Sequence, residues 1–265
     1  MGEDTLVTSI SPALGSRRRV DHWFYIGVAV FVIVLNVAGF GPSLLDQSMR
    51  NDQPSPLVII HGVVAVLWLL LFLTQATLAA TRRTSIHRRL GAIAPALTIV
   101  MVLLVFQTTL EMVRRGYDLS GDLFRPAAAP GAPAPSPAEA DGGLGAFVSA
   151  LNFGILVAAG WWHRRRPEVH KRLMLLALLS LASVPLLHLG GHVVGRWPVL
   201  LWPVRITLFA GNLLLFAGAV HEKTTSGRVH PIFVWVPLGI IAVTLLTIVV
   251  SLSAPWRHFA TWLAS

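Results

Sequence analysis

The chain contains no cysteine. Disulfides, thiolate nucleophiles, Cys-ligated zinc and iron–sulfur clusters are therefore excluded. Charge is scarce too: 12% of the residues are Asp, Glu, Lys or Arg, where soluble domains carry about 25%. With 54% hydrophobic residues and a mean hydropathy of +0.68, too little polar surface remains to cover a water-soluble body of this length. Carboxylates are absent from the middle of every apolar run, so no Asp/Glu proton relay is visible. The last run has no lysine, and Lys171 and Lys223 both stand in polar turns, which excludes a retinal Schiff base. P-loop and HExxH motifs are missing as well. A net charge of +9 does not imply nucleic acid, because the basic residues sit in short turns and build no basic domain.

What the chain has is apolar runs. Seven are long enough to cross a bilayer, near 22–41, 57–80, 90–113, 145–162, 171–193, 199–220 and 231–254; a crossing takes roughly 20 residues as helix. The fourth is short, and the fifth ends in Gly190-Gly191. Helix is the expected form, since unpaired backbone is too costly in hydrocarbon. The expected fold is all-α: a polytopic seven-transmembrane-helix bundle over 22–254, with a tail at 1–21 and an interfacial tail at 255–265. Pro95, Pro185, Pro203 and Pro237 should kink their helices. The Pro/Ala-rich stretch within 116–144 is expected to be a disordered or polyproline-like outer loop. The charged leader is long for a signal-peptide n-region, so the first run is expected to stay as a span.

Basic residues choose a side. Arg17–Arg19, Arg82, Arg83, Arg88, Arg89, Arg164–Arg166, Lys171, Arg172, Lys223 and Arg228 fall on one side by parity. That side should be cytoplasmic, with the C-terminus outside. Tryptophans agree: Trp23, Trp161, Trp162 and Trp235 mark the inner interface, Trp197, Trp202, Trp256 and Trp262 the outer, and only Trp68 lies mid-span. Gly62, Gly154 and Gly211 read as close-packing positions between helices.

Two short strings echo each other: His87-Arg88-Arg89-Leu90 and His170-Lys171-Arg172-Leu173. Aligning them also matches Arg82-Arg83 with Arg165-Arg166, so spans two and three correspond to four and five as a duplicated helix-turn-helix unit. The position matching His61 is Leu144, so the copies are unequal. The ordered blocks His61 … Trp68 … Gln75 … His87-Arg88-Arg89-Leu90-Gly91, His170-Lys171-Arg172-Leu173-Met174 and Gly227-Arg228-Val229-His230-Pro231 resemble a family of uncharacterised bacterial multi-span membrane proteins. The resemblance covers roughly 57–235 and implies a bacterial inner-membrane protein without supplying an activity. Family members often carry an aspartate near the end of span six, where this chain reads Val220-His221-Glu222. A looser, architectural similarity runs to di-haem membrane cytochromes.

Two constellations follow. At the outer level stand His61 on span two, Glu111 and Gln107 on span three, His188 and His192 on span five, Arg205 and Asn212 on span six, and Asn36 on span one. His61, Trp68 and Gln75 lie at seven-residue steps and share one helix stripe. Imidazoles suit haem iron or a divalent metal. His61 and His188 could bracket a haem b with Arg205 near a propionate and Trp68 and Gln75 along the wall. Alternatively His61, His188, His192 and Glu111 could hold a metal. The plainer alternatives are a Glu111–Arg205 ion pair with interfacial histidines, or a small-molecule or quinone-head pocket. At the inner level, His87, Arg88, Arg89, His170, Lys171, Arg172, Arg228 and His230 form a cationic ring suited to anionic lipid headgroups or a soluble phosphate compound. Basic turns are required by topology in any case. An electron-transfer role and a lipid- or phosphate-binding scaffold or transporter are thus the two functions expected.

Overall fold

The computed structural model describes residues 4–46, 54–115, 143–194 and 211–264, with side chains except at 4–20, 112–115, 191–194, 261 and 264. The described residues are helical, without a strand. In chain order they form α1 (Asp4–Leu45), α2 (Pro56–Ala80), α3 (Thr84–Gly91), α4 (Ala94–Arg115), α5 (Leu144–Trp162), α6 (Pro167–Ser180), α7 (Ser183–Val194), α8 (Ala217–Ser226), α9 (Ile232–Ser251) and α10 (Ala254–Ala264). Among the described residues six segments are long and apolar enough to cross a membrane: Asp21–Leu45, Pro56–Ala80, Thr84–Glu111, Leu144–Trp162, Pro167–Gly190 and Ile232–Ser251. They match six of the seven expected runs. The seventh, 199–220, lies mostly outside the described residues, as do Pro203, Trp197, Trp202 and the 116–142 stretch. The helix holding the first span begins at Asp4 rather than at residue 22.

Local chemistry sets the helix ends. Ser55 caps α2, its Oγ accepting from Val58 N–H (3.3 Å), with Pro56 at the first helical position. Pro167 opens α6 in the same way. Proline also places the internal breaks. Pro95 has no N–H for the Gly91 carbonyl, and the chain breaks at Ala92–Ile93. Pro185 cannot serve the Leu181 carbonyl, and the break falls at Leu181–Ala182. Pro237, by contrast, sits inside α9.

The core sits around α6. Leu175, Leu176, Ala177 and Leu178 are 0% exposed, so this helix is apolar on every side and covered on every side. Around it pack α5 and α9, with α1 at its edge; α2 and α7 pack on α1, and α4 joins α2 to α5. Trp68 is the largest buried side chain, held against Phe72 and edge-on to Phe153 (4.9 Å). Its Nε1–H donates to Thr98 Oγ1 (3.1 Å), whose own hydroxyl donates to the Ala94 carbonyl. The polar tip of a mid-span tryptophan is thereby satisfied. Outward faces stay apolar: Val34, Ile60, Val63, Leu103, Leu246 and Val249 are all exposed, as lipid-facing positions should be. A side chain at Gly154 or Gly211 would press on Val102 (3.2 Å) or the Ser183 backbone (2.8 Å), so both are close-packing positions. Gly62 is not: nothing lies within 4 Å of where its Cβ would be.

The two echoing strings occupy equivalent places. In each, a long helix ends, a basic turn follows, and the next helix starts three residues before the histidine, at Thr84 and at Pro167. The first turn holds Arg82 in a left-handed conformation (φ 58°).

Candidate site at the basic end of the bundle

Both basic turns lie at the same end of the bundle. The His87 and His170 rings are 6.4 Å apart and perpendicular. Each Nδ1 faces a main-chain carbonyl from the helix before it: Gln75 O for His87 (3.2 Å) and Gly160 O for His170 (2.8 Å). At His170 the carbonyl partner calls for the proton on Nδ1, whereas at His87 the Gln75 side-chain nitrogen also lies 2.5 Å from Nδ1. The Gln75 amide, oriented by its neighbours, accepts from Gly91 N–H (2.9 Å) and donates to the His87 carbonyl (3.1 Å). It ties the end of α2 to α3.

Beside this pair lies an ion network that the sequence did not reveal. Arg172 is only 8% exposed. Its Nε donates to Glu222 Oε1 (2.7 Å), its Nη2 pairs with the same oxygen, and its Nη1 reaches both the carboxylate (2.9 Å) and the carbonyl of Glu168. Glu222 Oε2 accepts from the His230 N–H (2.7 Å), which joins α8 to the turn before α9. The Arg172 guanidinium also lies over the Phe233 ring (5.9 Å). Lys171 pairs with Glu168 (2.8 Å) and Asp21 (3.5 Å). Asp21 also meets His221 Nε2 (3.1 Å), whose ring stacks flat on Phe24 at 3.8 Å. Asp21, Glu168 and Glu222 thus draw α1, α6 and α8 together. A buried guanidinium without such partners would cost several kcal/mol.

The remaining cations differ. Arg82, Arg83, Arg88, Arg89, Arg165, Arg166 and Arg228 are exposed, and among the described residues none has a carboxylate partner. Arg164 is exposed as well, and rests on the Trp161 ring at 3.9 Å. Exposed Trp23, Trp162 and Trp235 stand at this same end. The expected ring therefore splits into two groups. Lys171 and Arg172 are neutralised within the protein, while Arg88, Arg89 and Arg228 face outward with the turn arginines. His230 lies between, its Nδ1 accepting from Ile232 N–H (3.2 Å).

The residues of the outer constellation lie away from this end. His61 stands in the second turn of α2, about 29 Å along the helix from Ala80 at 1.5 Å per residue. Its Nδ1 is buried with no hydrogen-bond partner. His188 is 5% exposed, with its ring 4.3 Å from Phe40 of α1. Asn36 donates to the Val32 carbonyl of its own helix (2.8 Å). Glu111 is half-buried near the end of α4. Trp68 and Gln75 share the His61 stripe as expected, but both have structural partners and offer no free polar group to a cofactor. Arg205 and the His192 side chain lie outside the described residues. Among the described residues no three His, Cys, Asp or Glu side chains group so as to hold a metal ion.

Sequence reading missed Asp21, Glu168 and Glu222, the three acids that organise the basic end. One signal was present: Glu168 stands four residues before Arg172, the spacing of a helical ion pair. No protein-family model, curated protein or solved structure matches this chain.

Proposed function

We propose that this is an integral protein of the bacterial inner membrane whose cytoplasmic face binds the phosphates of anionic lipid headgroups. Six apolar helices make it compatible with an integral membrane protein. One observation carries the lipid reading: the exposed turn arginines lack carboxylate partners, while each acid described at that end is already engaged by Lys171, Arg172 or His221. Unpaired arginines at headgroup depth gain about 1 kcal/mol each near an anionic surface. Arginine also bonds phosphate through two parallel N–H groups. Lys171 and Arg172 belong to the fold in this reading, and Arg82, Arg83, Arg88, Arg89 and Arg164–Arg166 contact lipid.

The test is quenching of tryptophan fluorescence by brominated lipids in reconstituted bilayers. Brominated phosphatidylglycerol should quench more strongly than brominated phosphatidylcholine at equal mole fraction. Replacing Arg82, Arg83, Arg88 and Arg89 by Gln should reduce the difference by at least half. Equal quenching by both lipids in the parent protein would remove the reading. Orientation is tested separately, since the cysteine-free chain accepts single labels: Arg83→Cys and Arg165→Cys should both react only from the cytoplasmic side.

A second reading, haem b or metal binding near the opposite end, is favoured by the buried, partnerless Nδ1 of His61. It requires a Soret band or bound transition metal in purified protein that is lost in His61→Ala. Colourless, metal-free protein would end it.

A further inference from the structure

We propose that the recess between the α8–α9 turn and α6 is a site for one anionic phospholipid headgroup, with Arg228 as its phosphate ligand. The proposal rests on the reading that this end of the bundle meets an anionic leaflet, and it adds a defined site to that reading. The recess has a volume of about 310 Å³, enough for a phosphate and the glycerol attached to it. Arg172 and Glu222 line its inner side, Ser226, Arg228 and His230 its polar rim, and Val229 and Pro231 an apolar wall.

The rim is built rather than loose. Gly227 ends α8 in the left-handed conformation (φ 71°), open to glycine at little steric cost. Ser226 Oγ lies between the Glu222 carbonyl (2.8 Å) and the Arg228 carbonyl (2.9 Å), which share its one proton, and the Lys223 ammonium reaches the Gly227 carbonyl (3.4 Å). The turn that carries Arg228 is therefore held at both sides while its guanidinium stays exposed without an acid.

Electrostatics favour an anion despite Glu222. Both Glu222 oxygens are occupied, one by Arg172 and the other by the His230 N–H. Of the lining residues, Arg172 and Glu222 cancel and Arg228 is left over; Glu168, which also binds Arg172, is itself held by Lys171. Because His230 Nδ1 accepts from Ile232 N–H, the ring proton sits on Nε2, a second donor. The source of the phosphate is argued from the neighbours. Trp235, one turn along α9 from Pro231, is 71% exposed, and Val220 on α8 is 61% exposed. An apolar wall and lipid-facing flanks suit an amphiphile better than a free ion.

The experiment is native mass spectrometry of the full chain in detergent, titrated with short-chain phosphatidylglycerol, phosphatidylcholine or inorganic phosphate. One phosphatidylglycerol should bind saturably and phosphatidylcholine should not. Arg228→Gln should weaken that binding at least tenfold, Arg228→Lys less, and Arg257→Gln, on α10 away from the basic turns, by under twofold. Unchanged binding in Arg228→Gln, or an equal loss in Arg257→Gln, overturns the site. Competition by inorganic phosphate at the concentration at which phosphatidylglycerol binds overturns the lipid assignment in favour of a soluble phosphate. Should saturable binding fail while brominated phosphatidylglycerol still quenches preferentially, the recess is wrong and the broader reading stands. Loss of that preference as well removes both.

Discussion

The strings His87-Arg88-Arg89-Leu90 and His170-Lys171-Arg172-Leu173 start from near-identical chemistry at one end of the bundle, and their last arginines meet opposite surroundings. Arg89 is exposed without a partner, whereas the matching Arg172 is buried between two carboxylates. Two differences account for this. Four residues before Arg172 stands Glu168, while four residues before Arg89 stands Ser85. In addition, α8 supplies Glu222 to the second copy, and no carboxylate reaches the first among the described residues. A guanidinium enters a dry site only when acids already wait there, because desolvation alone outweighs anything packing returns. One string thus builds the fold, while the arginines of the other stay exposed.

The sharpest way to break this contrast is to remove an acid. Glu222→Ala leaves Arg172 only the exposed Glu168 as an acid partner, and breaking a buried pair from one side costs about 3–5 kcal/mol. The midpoint of thermal unfolding in detergent should fall steeply, while Arg89→Ala should shift stability by no more than about 0.5 kcal/mol. Equal small effects would mean that Arg172 is solvated and the two strings are alike. Replacing Arg172 and Glu222 together by Met should recover most of the loss, since paired charges often exchange for apolar groups at little cost.

A smaller effect separates the histidines. His170→Ala removes a donor from the Gly160 carbonyl beside a tightly packed Gly160–Met174 contact. A lost hydrogen bond that leaves a half-buried group unmet costs about 1–2 kcal/mol. At 3.2 Å the His87 bond is longer, and Gln75 also braces that turn, so His87→Ala should cost less. Unfolding midpoints of the two variants measure the ranking, and a larger loss for His87→Ala would reverse the roles assigned to the copies.

Much of the architecture was legible before any coordinates. Apolar length placed six helices within a few residues at most ends, and Pro95 and Pro185 marked two real breaks. Parity put both basic turns at one end, which the His87–His170 contact bears out. What stayed hidden depends on which way helices face. Arg172 looked like Arg89 because a string carries no record of its neighbours. Glu222 read as a departure from a family pattern, yet it is the acid that holds Arg172. At the other end, a shared depth does not by itself give proximity: among the described residues no three metal-ligating side chains meet, and Arg205 and the His192 side chain lie outside them. Residues on several helices can share a level and still take local partners, as Asn36 does in bonding its own helix and His188 in lying on Phe40. Span five looked weak because it ends in Gly190-Gly191, but α6 within it is the most covered helix of the bundle.

The smallest expected effect is also the most discriminating for the comparison. Ser85→Glu gives Arg89 the i−4 acid that Arg172 has. If that acid alone decided burial, the variant would draw Arg89 inward and gain stability of the order seen at a buried pair. The α8 carboxylate is still missing, however, so the new pair forms on an exposed helix face. Such pairs contribute about 0.2–0.5 kcal/mol and fade with salt, because exposed charges are screened within about 10 Å at 0.1 M. The expected result is a rise in unfolding midpoint barely above error that disappears in high salt. Preference for brominated phosphatidylglycerol should fall at the same time, since Arg89 is then partly occupied. A large, salt-resistant gain would show that the i−4 acid suffices and that Glu222 is secondary. No change in lipid preference would show instead that Arg89 lies outside the headgroup contact, leaving that role to Arg82, Arg83 and Arg164–Arg166.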